Sequence, residues 1–163
     1  MFALGHLGLG KRIAARPYRR FSPGARRAFF LGALLPDLVD KPLFYFPFWL
    51  TGRRGQLLSG THLFAHTGLF LLLLIVAARL TRAPRVRAVA IGVATHFVLD
   101  LVGLSMGLRM LLWPLFGWHF PAYPFSGLGQ HLSTILSPIT LAGELLGGAI
   151  LLWDWRRARA RPQ

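Results

Sequence analysis

The chain has 163 residues, carries a net charge of +14 at pH 7, and is 54% hydrophobic but only 15% charged. Soluble domains have about 25% charged residues, so the composition argues against an ordinary water-soluble protein and favours a membrane protein. The absence of cysteine excludes disulfides, thiolate zinc sites and a cysteine nucleophile.

The first predicted element is a short helix over Phe2 to Ala15, too short to span a bilayer comfortably. The hydrophobic stretch from Ala28 to Leu50 follows. It is interrupted by several prolines and charged residues, namely Pro36, Asp37, Asp40, Lys41, Pro42 and Pro47. Because proline disrupts the helical hydrogen-bond ladder, we predict a broken or re-entrant helix packed among other helices.

Later apolar segments approach the ~20 residues needed to cross a hydrocarbon core. They are Thr61 to Leu80, Val86 to about Leu108, and about Thr134 to Trp153. Between the last two, Trp113 to Ser133 is rich in aromatic residues, Pro and Gly and is predicted to be an interfacial loop. The fold prediction is an all-α integral membrane bundle of about three spanning helices, one domain over residues 1–163, because no linker or repeat divides the chain.

The basic residues are clustered at positions 11–27, 53–54, 79–87 and 156–161. Such clusters beside apolar segments are typical of cytoplasmic loops that contact anionic lipid. We therefore predict a multi-pass protein of the cell inner (cytoplasmic) membrane, with the loop at 79–87 and the C-terminal cluster in the cytoplasm. No nucleic-acid partner is expected, because Pro17, Pro23 and Gly24 interrupt the one candidate basic helix.

Ionisable residues within the apolar stretches occur in pairs spaced three or four residues apart. The pairs are Asp37 with Asp40, His62 with His66, and His96 with Asp100. On helices such pairs share a face, and ionisable groups are costly in a membrane. The spacing predicts that the helices offer groups of potential metal ligands.

Each such residue also has a structural interpretation, since a single intramembrane His can link helices and a single Asp can pair with Arg. Glu144 has no partner at helical spacing and fits either a supporting role or a helix contact. His119 and His131 fall in the aromatic loop and are predicted to be interface residues. His62 stays ambiguous, because His66 alone would satisfy the pattern.

Several of these motifs resemble the bacterial membrane-bound metal-dependent hydrolase family, the YdjM-like or DUF457 group, which is distantly similar to zinc-dependent phospholipase C. The matching elements are an early His6, the segment from Gly32 through Leu-Pro-Asp37 to Asp40, His66-Thr67, and the segment from Gly92 to Asp100 containing His96-x-x-x-Asp100. Many members carry an Arg before the element at His66, where this chain has Thr61-His62. That departure bears on the substrate class.

The resemblance and the pairs together imply a divalent metal held by His6, Asp37, Asp40, His66, His96 and Asp100. Imidazole with carboxylate suits zinc, with manganese or iron as alternatives. The expected chemistry is hydrolysis of an ester or phosphoester by activated water, with Asp37 or Asp40 as the base. A substrate from the membrane, such as a phospholipid or another lipid-linked ester, suits a site at this depth.

The sequence is also compatible with two other functions. The same His and Asp residues could form a transporter or proton relay, although few spans and no inverted repeat argue against it. The chain could also be a non-catalytic regulatory membrane protein that binds a cytosolic partner through its basic segments. The sequence therefore predicts a metal site more strongly than it predicts an enzyme.

Overall fold

The structure, a computed structural model, describes residues 3–51, 61–103, 105–121 and 136–160. Helices account for the regular structure of these residues. In chain order they are α1 (Ala3–Ile13), α2 (Ala15–Arg19), α3 (Pro23–Thr51), a 3₁₀ turn (Phe64–His66), α4 (Gly68–Thr81), α5 (Pro84–Val102), α6 (Leu108–Leu111) and α7 (Pro138–Arg159). The prediction of an all-α fold is confirmed for this part of the chain.

The long helix α3 differs from its prediction as a broken or re-entrant element. It is one continuous helix of 29 residues that includes Pro36 and Pro42. An interior proline costs about 3 kcal/mol because it lacks an N–H and crowds the preceding turn. Extensive packing of α3 along α5, with Pro36 fully buried, offsets that cost. The prediction of a break was therefore wrong, because tertiary packing outweighed the local effect of proline.

The predicted spanning segments are not recovered as membrane-crossing helices. Among the described residues, none of the helices combines the length with the apolar character that a span needs. The segment from Thr61 becomes α-helical only at Gly68, where the Thr67 side chain accepts a hydrogen bond from Phe70 N and caps the helix. The next helix, α5, ends at Val102.

Helices α3 and α5 lie in close contact at two glycines. A Cβ atom added to Gly32 would lie 2.3 Å from the Val89 carbonyl oxygen, and one added to Gly92 would lie 2.3 Å from the Phe29 carbonyl oxygen. Only glycine permits this backbone approach. This close approach places the acidic residues of α3 near the histidine of α5.

Helices α1 and α7 pack by a second glycine contact. A Cβ atom on Gly147 would lie 2.2 Å from the Leu4 carbonyl oxygen. Three residues earlier on α7, Glu144 accepts hydrogen bonds from the backbone N–H groups of Leu4 and Gly5, at 3.0 and 2.9 Å. These N–H groups belong to the first turn of α1 and have no partner within the helix, so Glu144 acts as their cap from α7.

We expect Gly147→Ala to lower the stability of the protein, because the added methyl group would overlap backbone atoms of α1. Overpacking of this kind typically costs about 1–3 kcal/mol. Gly148→Ala is the matched control on the same helix, since its nearest contact would be the Leu4 Cδ1 atom at 3.5 Å. Thermal unfolding in detergent should show a lower Tm for the first variant and an equal or higher Tm for the second. Equal Tm values for both would contradict this helix contact.

The helix ends that carry basic residues lie together at one end of the bundle. Ala14, after the end of α1, packs with Ala25 and Ala88, which lie near the starts of α3 and α5. Near the end of α7, Asp154 binds Lys11 Nζ of α1 at 2.6 Å. The starts of α3 and α5 and the ends of α1 and α7 therefore lie at one end of the bundle, here called the basic end. The clusters at positions 11–27 and 79–87 belong to it, as do Arg156, Arg157 and Arg159 of α7.

Candidate metal centre

Helices α1 and α5 bring three buried ionisable residues together away from the basic end. His96 and Asp100 are one turn apart on α5, with His96 Nε2 3.1 Å from Asp100 Oδ2. His6 of α1 lies with its Nε2 3.3 Å from Asp100 Oδ1, and its ring stacks on that of His96 at 4.0 Å between centroids. His6 and His96 are 0% exposed and Asp100 is 2% exposed. The α5 pair therefore shares a face, as its spacing predicted.

His66 joins this group from the 3₁₀ turn that precedes α4. Its Nε2 atom lies 3.3 Å from His96 Nε2, 3.5 Å from Asp37 Oδ1 and 3.9 Å from Asp100 Oδ2. The side chain is fully buried. His62 and His66 do not share a helix, contrary to expectation, because α4 starts only after them.

The hydrogen bonds of the two central imidazoles determine where their protons lie. His96 Nδ1 is 2.8 Å from the Ala33 carbonyl oxygen, which can only accept, so this nitrogen carries the hydrogen and donates it. His66 Nδ1 is 2.7 Å from Asp40 Oδ2 and likewise donates to the carboxylate. In their neutral forms both rings consequently present Nε2 lone pairs to each other. A divalent cation, or a proton carried by one of the two rings, would satisfy both acceptors beside the two carboxylates.

A backbone group of α3 orients His96. The carbonyl of Ala33, four residues before Asp37 on the same helix, accepts the hydrogen bond from His96 Nδ1. One stretch of α3 therefore supplies both a backbone acceptor for His96 and a carboxylate to the site.

Asp40 has a different environment from the other predicted ligands. It is fully buried, and it accepts hydrogen bonds from the backbone N–H groups of Leu63, Ala65 and His66 as well as from His66 Nδ1. These bonds hold the segment before α4 against α3. The geometry thus favours a positioning role, in which Asp40 fixes the orientation of His66.

Asp37 lies at the margin of the cluster that His6, His66, His96 and Asp100 form. One carboxylate oxygen, Oδ1, faces His66, while Oδ2 accepts a hydrogen bond from Lys41 Nζ at 2.6 Å. The Asp37 side chain is 16% exposed, compared with 3% for Asp100 and 0% for Asp40. Asp37 is therefore the carboxylate of the cluster that an incoming molecule reaches most easily.

His62, which the sequence left ambiguous, lies beside the cluster. Its Nε2 atom is 4.0 Å from Asp100 Oδ2, and its ring lies edge-on to that of His66. Burial, followed by the nearby His66, lowers the pKa of His62 to about 4. The ring is consequently neutral at pH 7, the form in which imidazole ligates metal ions. The sequence feature that could have identified His62 as part of the site is its four-residue spacing from His66.

Within the part of the chain that the structure describes, three overlapping groups of side chains could each hold a metal ion, with ligand atoms within 4.8 Å of one another. They are His6 with His96 and Asp100, Asp37 with His66 and His96, and His62 with His66 and Asp100. His66, His96 and Asp100 each belong to two groups. The donors are nitrogen and oxygen, which suit zinc, manganese or iron, and their number exceeds the four ligands of a structural zinc site. The residues therefore fit one divalent ion or two neighbouring ions.

The remaining candidates lie apart from this cluster or outside the described residues. Glu144 caps α1 and is a helix contact. His119 is exposed, in a cleft with Arg109 and Trp113. His131 falls outside the described residues, so its predicted interface role stays a prediction.

The fold and site define a class: a helical protein with a buried His and Asp cluster suited to a divalent ion. The chain belongs to the family described as YdjM inner membrane protein, whose model matches residues 1–159. The family resemblance seen in the motifs is confirmed. The distant similarity to zinc-dependent phospholipase C stays a prediction. No curated protein and no solved structure matches the chain.

Proposed function

We propose that this protein is a membrane-bound, metal-dependent hydrolase that cleaves an ester or phosphoester. One observation carries the proposal. The Nε2 atoms of His66 and His96 face each other at 3.3 Å, and each ring is fixed by an acceptor on its Nδ1 atom. Metal-binding histidines are typically held in this way, by a carboxylate or a backbone carbonyl on the second ring nitrogen.

The residues around this centre have separable roles. His66, His96 and Asp100 form its middle, and Ser105 Oγ donates to Asp100 Oδ1 at 2.8 Å, which fixes that carboxylate. His6 and His62 approach Asp100 from two sides. A divalent ion bound here supplies a Lewis acid and lowers the pKa of water toward neutrality.

In this proposal Asp37 is the general base and Lys41 orients it. The partly exposed Asp37 keeps one oxygen toward the cluster while Lys41 holds the other. Asp40, the alternative base, already accepts the hydrogen bonds of a buried turn and is better suited to positioning His66. Lys41 is 31% exposed and provides a positive charge beside the base, where an ester develops negative charge during hydrolysis.

A membrane location and a lipid substrate are part of the proposal. Support comes from the family description and from large exposed apolar side chains on α4 and α7, among them Leu72, Leu73, Leu145, Leu146 and Trp153. Grouping of the basic residues at positions 11–27, 79–87 and 156–159 at one end of the bundle agrees with the positive-inside rule. Membrane lipids are then the natural neighbours, and a lipid-linked ester is the natural substrate class.

Asp40→Asn should weaken metal binding about 10–100-fold, the usual effect of losing a partner that orients a ligating histidine. The amide NH₂ would face N–H donors, so His66 would lose its fixed orientation. Zinc titration of the detergent-purified protein measures the effect. Asp154→Asn, which alters a carboxylate bound to Lys11 and Arg12 instead, is the control and should leave zinc affinity unchanged. Equal zinc affinity in Asp40→Asn and wild type would contradict the positioning role.

The proposed activity is tested by incubating purified protein with phospholipids, acylglycerols and aryl phosphodiesters, with zinc, with manganese or with chelator. We expect hydrolysis of at least one ester class that requires a divalent ion. Proton flux in vesicles without bound metal, together with no hydrolysis, would instead support a proton relay and reject the hydrolase.

A further inference from the structure

A second feature of the molecule lies at the basic end, away from the His and Asp cluster. There a cleft of about 870 Å³ lies between α2, the start of α3 and the connection from α4 to α5. Its lining includes five arginines, with Ser22 and Phe21 among the other residues. The arginines are Arg16, Arg19, Arg20, Arg82 and Arg87.

The chain has no side-chain carboxylate to neutralise these arginines. It contains five acidic residues in all, each of them described, and none lines the cleft. Three belong to the cluster or its support, and Glu144 caps α1. The fifth, Asp154, binds Lys11 and Arg12. Five guanidinium groups around one cleft repel one another, so an anion from outside the chain would stabilise this arrangement.

Helix direction adds to the positive potential of the cleft. Both α3, from Pro23, and α5, from Pro84, begin beside it. The helix dipole places partial positive charge at these starts, although at α3 the Ser22 hydroxyl oxygen already accepts the Ala25 N–H. The arginines and the two helix starts therefore favour the same kind of ligand.

The cleft is separate from the candidate metal centre. Along α3, Asp37 lies fourteen residues after Pro23, which at 1.5 Å per residue is about 21 Å. Along α5, His96 lies twelve residues after Pro84, or about 18 Å. A ligand of the cleft would not contact the cluster directly.

We propose that this arginine cleft binds a phosphate-bearing anion. Arginine forms paired hydrogen bonds with phosphate oxygens, and the size of the cleft suits a phosphate group carrying further substituents. The same chemistry is offered by an anionic lipid headgroup at the membrane surface and by a soluble phosphate compound. The proposal stands independently of the hydrolase activity.

The test is calorimetric titration of detergent-purified protein with two probes, inorganic pyrophosphate and dihexanoyl phosphatidate, and with dihexanoyl phosphatidylcholine for comparison. We expect binding of one or both phosphate probes. Arg82→Gln with Arg87→Gln should weaken it at least about tenfold, since charge-assisted hydrogen bonds are lost. Tighter binding of the phosphatidate identifies a lipid headgroup, whereas preference for pyrophosphate identifies a soluble ligand.

The matched control is Arg27→Gln with Arg156→Gln, which removes the same charge from exposed positions at the basic end that do not line the cleft. Its affinity for either probe should stay within about twofold of wild type, because salt at moderate concentration screens the long-range attraction between the anionic probe and the net positive charge. Equal weakening in both double variants would show that net charge alone attracts the probe and would overturn the proposal. Absence of binding of both probes to wild type would overturn it as well.

Discussion

Asp37→Asn is expected to slow hydrolysis by a factor of about 10²–10⁴, the usual contribution of a positioned general base. Asparagine keeps the size of the side chain but cannot accept a proton. It also releases Lys41, whose ammonium is held by Asp37 Oδ2 at 2.6 Å. The turnover number and KM for the ester that wild type cleaves measure the effect, and the loss should fall mainly on turnover.

Asp154→Asn serves as the control for this experiment, because Asp154 lies at the basic end and binds Lys11 and Arg12. Its turnover should equal that of wild type. Metal content of both variants is measured in parallel, so that lost chemistry is distinguished from lost metal. Full turnover in Asp37→Asn with normal metal content would show that another residue is the general base.

Removal of divalent ions with a chelator should lower the melting temperature of wild type by about 8–16 °C. Binding at a concentration a thousand times Kd stabilises the folded state by about 4 kcal/mol, and 1 kcal/mol corresponds to about 2–4 °C at this chain length. The physical reason is that only the folded state brings these imidazoles and carboxylates together as ligands of one ion.

The double variant His96→Gln, Asp100→Asn should melt at the same temperature with and without chelator, because it lacks two residues of the centre. His119→Gln, an exposed histidine outside the cluster, should respond to chelator as wild type does. The melting temperature of each variant is compared with and without chelator, so the test stays valid even where the double variant is less stable overall. A wild-type melting temperature that is insensitive to chelator and to added zinc or manganese would contradict the account.

Helical spacing predicted part of the site correctly. His96 and Asp100 share a face of α5 and lie in contact, as a spacing of four residues requires. The same rule failed for His62 and His66, because Thr67 caps α4 and leaves both residues before the helix. They nevertheless lie side by side, in an extended segment and a turn that Asp40 holds in place.

Other features depend on tertiary contacts that no local pattern specifies. The continuity of α3 through Pro36 follows from its packing against α5, made possible by Gly32 and Gly92. The Ala33 carbonyl that orients His96 is a backbone group, and no residue type marks it. Likewise, the spacing of residues along α7 does not reveal that Glu144 accepts hydrogen bonds from N–H groups of α1.

The most direct test of the central claim is the metal content of wild-type protein, purified in detergent without chelator and measured by mass spectrometry beside the His96→Gln, Asp100→Asn variant. The account predicts one or two divalent ions per chain in wild type, and loss of that metal in a variant that still folds. Absence of metal from both proteins, even after incubation with zinc, manganese or iron(II), would contradict it and leave the cluster as polar contacts between helices.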